Sequence, residues 1–146
     1  MIAQTIQLAL APVFVLVAIG NIMNILSSRL ARVVDRSRQL QQAHGATSGP
    51  DHDRVVLEIR LLAKRISLIG RALRLLVLSG LGIGLTVGVL FVEEMVGVDL
   101  QQVAAGTFLV AVALLMWALL MFLRETQTAA ESLRIPETFL ELDRKL

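Results

Sequence analysis

The sequence predicts an all-α integral membrane protein with three transmembrane helices, the first two extended into a cytoplasmic antiparallel coiled-coil hairpin. Three observations carry that expectation. The runs 6–26, 75–92 and 103–123 contain no charged residue. All ten Lys and Arg that precede the third run lie between the first and the second. Outside those runs, apolar residues recur at alternating spacings of three and four, the period of a helical seam. Hydrophobic residues make up 55% of the chain and charged residues 18%. Because the apolar residues are blocked rather than dispersed, they suit a bilayer better than a soluble core.

The first span, 6–26, has 21 residues and the second, 75–92, has 18. At about 1.5 Å per residue they reach roughly 32 and 27 Å, enough to cross a hydrocarbon layer of about 30 Å. The first is expected to stay attached rather than be cleaved as a secretion signal. Residues 1–7 hold no Lys or Arg, and the helical pattern continues past the far end of the run. Pro12 removes one backbone hydrogen bond and predicts a kink near the outer end, where Gln4 and Gln7 add polarity. Asn21, Asn24 and Ser28 fall on one face in the inner third of the membrane, and Asp35 lies on the same line one heptad beyond. Such groups must meet protein or water, since facing lipid is costly. They are expected either to hydrogen-bond between helices, at about 0.6 kcal/mol per bond, or to line a wetted pathway. In the second case Arg29, Arg32 and Arg36 would flank its inner mouth.

Beyond the membrane the first helix is expected to run on to about residue 43 through Ile19, Met23, Leu26, Leu30, Val33, Ser37 and Leu40. Gly45, Gly49 and Pro50 break it, while Ser48, Asp51 and Asp53 suit the start of the next helix. The second helix, about 52–93, carries the matching seam Val55, Ile59, Leu62, Ile66, Ile69, Leu73 and Leu76, continued by Gly80, Ile83, Val87 and Leu90. The segment 27–74 thus forms a stalk rather than a floppy loop. Within the second span, Gly80, Gly84 and Gly88 stand four apart and predict close helix packing, with Gly82 on the other side. Ala104, Ala105, Gly106, Ala111 and Ala113 of the third span could be the partner, as could a second copy of the chain. The tail 124–146 begins as a continuation of the third helix. Pro136 then interrupts it before an amphipathic stretch expected to dock on the stalk, bringing Glu125, Glu131, Glu137 and Glu141 to the basic helices.

The orientation follows from charge. Residues 27–74 hold ten bases and four acids, whereas 93–102 hold three acids and no base. The positive-inside bias places the hairpin and the C-terminus in the cytoplasm and the N-terminus outside. Like charges on neighbouring helices repel, so an anionic partner is expected near them. Phospholipid headgroups are the candidates for Arg29, Arg32, Arg71, Arg74 and Arg124. Asp35 can offset Arg32 and Arg38, three residues to either side. Nucleic acid is not an expected partner, because the basic surface lacks interleaved aromatics and lies against a membrane.

The stretch IQLALAPVFVLVAIGNIMNILSSRLARVVDRSR, with its early Pro, its Asn near the inner end and the R-L-A-R-V-V-D-R that follows, resembles a bacterial family of small inner-membrane proteins known as a domain of unknown function. The resemblance covers most of the chain and is strongest over 6–38. It implies three membrane helices and a bacterial cytoplasmic membrane, with no activity and no site residues to carry over.

Enzyme chemistry finds little support. The chain has no Cys and no Tyr, and its two histidines, His44 and His52, fall at the hairpin tip. With Asp51 and Asp53 they match no metal-site spacing, so no metal and no cofactor is expected. The expected function is a homo-oligomeric scaffold or interaction protein that presents its basic stalk to a cytoplasmic protein. The alternative is a homo-oligomeric ion channel or small-solute pore lined by the first helix.

Overall fold

The computed structural model describes residues 2–132, apart from the side chains of residues 131 and 132. Three helices account for nearly all of them: α1 (Ile2–His44), α2 (Pro50–Val96) and α3 (Gln101–Ser132). Each is long and apolar enough to cross a membrane, the make-up of a multi-pass membrane protein. The expected tail beyond residue 132, with its docking on the stalk, lies outside the described residues.

The breaks fall where the chain places its helix-stopping residues. Gly49 adopts φ 66°, a left-handed conformation open to glycine without a Cβ clash, and Pro50 then opens α2 where a missing N–H costs nothing. Asp51 and Asp53 sit in that first turn, where the helix dipole favours negative charge. Gly97, at φ 70°, ends α2 and donates its N–H to the Glu93 carbonyl at 2.9 Å. Asp99 Oδ1 accepts from the Gln101 N–H at 3.2 Å, which satisfies one free donor at the start of α3. Pro12 lies inside α1 without interrupting it.

α1 and α2 run antiparallel. Thr5 reaches Glu94 at one end, Arg36 meets Glu58 further along, and Thr47 lies beside His52 at the tip. The residues spaced at threes and fours are the ones turned inward. Ile19, Leu26, Val33, Ser37 and Leu40 of α1 are buried, as are Leu62, Ile69, Leu76 and Ile83 of α2.

α2 also packs against α3, through a different face. Ala72, Ser79 and Thr86 are buried on α2, opposite Ala104, Ala111 and Ala118, which recur every seven residues on α3. Small side chains let the two backbones approach closely. The Ser79 hydroxyl donates to the Ala111 carbonyl at 2.7 Å, and the Thr86 and Thr107 hydroxyls lie 2.9 Å apart.

The closest approach involves Gly82 rather than the Gly80, Gly84 and Gly88 line. A Cβ on Gly82 would stand 2.9 Å from the Ala111 Cβ, and one on Gly80 would make ordinary contact with Leu16 at 3.6 Å. Gly84 and Gly88 face open space within the chain. Within one chain, then, the line does not pack as a single face on α3, which leaves Gly84 and Gly88 to the other expected partner, a second copy. The reason is geometric: at 100° per residue, a strict spacing of four precesses about 40° per step, so Gly88 has turned about 80° from Gly80. Alternating threes and fours hold their face.

α2 is thus the middle helix, with α1 and α3 on two of its sides. In the most apolar window of each helix only 17, 22 and 11% of residues are buried within the chain. The rest must meet lipid or another molecule.

Candidate functional site

The heptad of α3 continues from Ala118 to Glu125, placing a carboxylate where the preceding members of the series are alanines. Glu125 is fully buried at 0% exposure. Ionised, it would be costly there without partners, and it has two. Arg29 of α1 donates through Nη1 to Oε2 at 2.6 Å, and Arg65 of α2 donates through Nε and lies with Nη2 3.0 Å from Oε1. One carboxylate therefore joins all three helices just beyond the uncharged runs. The Arg29 guanidinium also lies over the Phe122 ring, 5.3 Å from its centroid, a cation–π arrangement one turn before Glu125. Thr128, buried on the next turn, donates to the Arg124 carbonyl at 3.0 Å.

Beside this triad opens a cleft of about 310 Å³ lined by Arg29, Arg32, Val33 and Arg36 of α1, Leu62 and Arg65 of α2, and Ala129 of α3. Arg36 is held by Glu58 across the hairpin, Nε to Oε1 at 2.8 Å, in a pair about half exposed on both sides. Among the described residues neither Arg32 nor Asp35 makes an ion pair. Two of the three arginines assigned to an inner mouth are therefore bound to carboxylates of the same chain. Arg71 and Arg74 lie apart, in a groove with Leu75, Trp117 and Met121. Arg124 lines another with Lys64 and Thr128.

Asn21, Asn24 and Ser28 are all exposed. Ser28 turns its hydroxyl onto the Asn24 carbonyl at 3.0 Å. Asn21, two residues after Ile19, is turned about 200° from it, and the other two are turned by similar angles. The stripe therefore points away from the α2 seam. At the hairpin tip the His44 and His52 rings stand 4.5 Å apart. Among the described residues no group of three or more His, Cys, Asp or Glu is placed to hold a metal ion.

The family model described as a protein of unknown function (DUF2721) matches residues 9–135. The chain belongs to the DUF2721 family. The match takes in all but the first three residues of the first span, the other two spans, the hairpin and the whole arginine cleft, in keeping with a resemblance that covers most of the chain. No curated protein and no solved structure matches the chain. Of the residues that organise this DUF2721 protein, Glu125 was legible only as one of four tail acids. The signal that singles it out is the series Ala104, Ala111, Ala118, Glu125, a period of seven on a helix with one buried face.

Proposed function

We propose that this DUF2721 protein is a homo-oligomeric scaffold of the bacterial cytoplasmic membrane, its N-terminus outside and its basic coiled-coil stalk presented to a cytoplasmic protein. The observation that carries the reading is the exposed stripe of Asn21, Asn24 and Ser28 on a helix whose opposite face is already occupied by α2. Carboxamides turned to hydrocarbon are unfavourable, and a second copy offering the same stripe satisfies them through interhelical hydrogen bonds. A symmetric contact of this kind is self-complementary, the commonest route to a homodimer. The low burial of all three spans leaves ample surface for it. The orientation rests on ten bases in 27–74 against none in 93–102.

A pore is the second reading, favoured by the continuity of that polar stripe along α1. It draws less support from the arginines, since Arg29 and Arg36 are tied to Glu125 and Glu58. Purified protein tests both. Native mass spectrometry in mild detergent is expected to show a multimer that weakens in the Asn21→Leu, Asn24→Leu variant. A monomer under the mildest conditions contradicts the scaffold, and ion flux into liposomes that this variant abolishes favours the pore.

A further inference from the structure

We propose that the arginine cleft beside Glu125 is a binding site for a phosphate group, one that a phospholipid headgroup or a soluble phosphate can supply. Four guanidiniums, Arg29, Arg32, Arg36 and Arg65, line one cavity. Among the described residues two carboxylates, Glu125 and Glu58, are bonded to them, which leaves two of the four positive charges uncompensated there. Glu125 has no exposed surface, and its role is to fix Arg29 and Arg65 in place rather than to face a ligand. An arginine presents five N–H donors in a planar fork that matches phosphate oxygens, and two acceptor bonds do not exhaust that supply. Val33 and Leu62 give the cavity apolar lining, and Ala129 of α3 contributes only a methyl group to it. Its volume, about 310 Å³, falls at the lower end of small-ligand sites, about 300–1,000 Å³.

Height along α1 favours the membrane as the source. The uncharged run ends at residue 26, so Arg29 and Arg32 stand about 4.5 and 9 Å beyond it at about 1.5 Å per residue, and Arg36 about 15 Å. Headgroups occupy roughly 5 to 8 Å on each side of the hydrocarbon. The lower half of the cleft thus opens at headgroup level. Arg71 and Arg74 offer a contrast built into the same molecule. They belong to the ordinary positive-inside bias and lie in a mainly apolar groove with Trp117 rather than in a four-arginine pocket.

The full-length protein, incubated with equal phosphatidylglycerol and phosphatidylcholine and analysed by native mass spectrometry, is expected to retain the anionic lipid at least five-fold over the zwitterionic one. Arg32→Gln with Arg36→Gln removes that preference, and Arg71→Gln with Arg74→Gln keeps most of it. A second arm titrates inorganic pyrophosphate onto the protein in nanodiscs of phosphatidylcholine alone. Saturable binding lost in the Arg32/Arg36 variant assigns the site to soluble phosphates as well, whereas lipid preference without pyrophosphate binding assigns it to the headgroup. Arg32→Gln alone carries the test should the double variant fail to fold, because Arg32 is exposed and unpaired among the described residues. Absence of both lipid preference and pyrophosphate binding overturns the proposal, as does equal loss in the Arg71/Arg74 variant.

Discussion

Glu125 does for this bundle what no apolar residue at the same position could, since it draws two guanidiniums from two other helices onto one point. Replacing it with Gln keeps the shape but leaves Arg29 and Arg65 without a counter-charge. A fully buried pair broken in this way costs about 3–5 kcal/mol. Arg29 is 31% exposed and Arg65 18%, so water recovers part of that loss and about 2–3 kcal/mol is expected for Glu125→Gln. The check is the melting temperature in detergent, which should fall by several degrees. A double-mutant cycle with Arg29→Gln should show coupling above about 1 kcal/mol. Gly82 is the other position where one residue decides a contact. Gly82→Leu must push α3 off α2 at Ala111 and should destabilise by about 1–3 kcal/mol, whereas Gly84→Leu should leave the melting temperature of the monomer within about 2 °C. The difference between the two variants, measured in the same detergent, tests the placement of α3.

At the scale of the helices, the sequence shows most of what the structure contains, and it does so through period. Ile19, Leu26, Val33 and Leu40, and Leu62, Ile69, Leu76 and Ile83, stand seven apart in the chain and are buried in the structure. Helix ends expected near residues 43, 52 and 93 fall at His44, Pro50 and Val96, because Gly49, Pro50 and Gly97 permit little else there. The glycine line does not carry the contact within the chain, for a reason within the same geometry. Small residues at a spacing of four look like a face in the sequence, but they wind around the helix, and the face that holds is Ala72, Ser79 and Thr86 against Ala104, Ala111 and Ala118. The arginine cleft was only partly legible, because Arg65 joins Arg29, Arg32 and Arg36 through the register of the hairpin, which the chain alone leaves open by a turn. Truncating the seam tests its weight: Ile69→Ala, at a site with no exposure, is expected to cost about 2–5 kcal/mol. Leu57→Ala, on the exposed side of the same helix at 59%, should cost under about 0.5 kcal/mol. Comparable losses at the two positions would mean that the stalk packs in another phase.

The whole molecule is three helices with α1 and α3 both packed on α2, and so small an assembly of helices hides little of its own surface. Leu81, Leu109 and Trp117 are 66, 68 and 59% exposed within the chain, which suits lipid, while the exposure of Asn21 and Asn24 does not. The proposed assembly through α1 would reconcile the two. Losing two Asn hydrogen bonds at about 0.6 kcal/mol each should lower the association constant of Asn21→Leu, Asn24→Leu several-fold in a sedimentation series. The account as a whole depends on the basic hairpin lying inside the cell. The chain lacks cysteine, so single cysteines placed at the hairpin tip, Ser48→Cys, and in the α2–α3 link, Val98→Cys, report the two sides directly. In intact spheroplasts a membrane-impermeant maleimide is expected to label Val98→Cys and to reach Ser48→Cys only after lysis. Labelling of Ser48→Cys from outside, with Val98→Cys protected, would contradict the account.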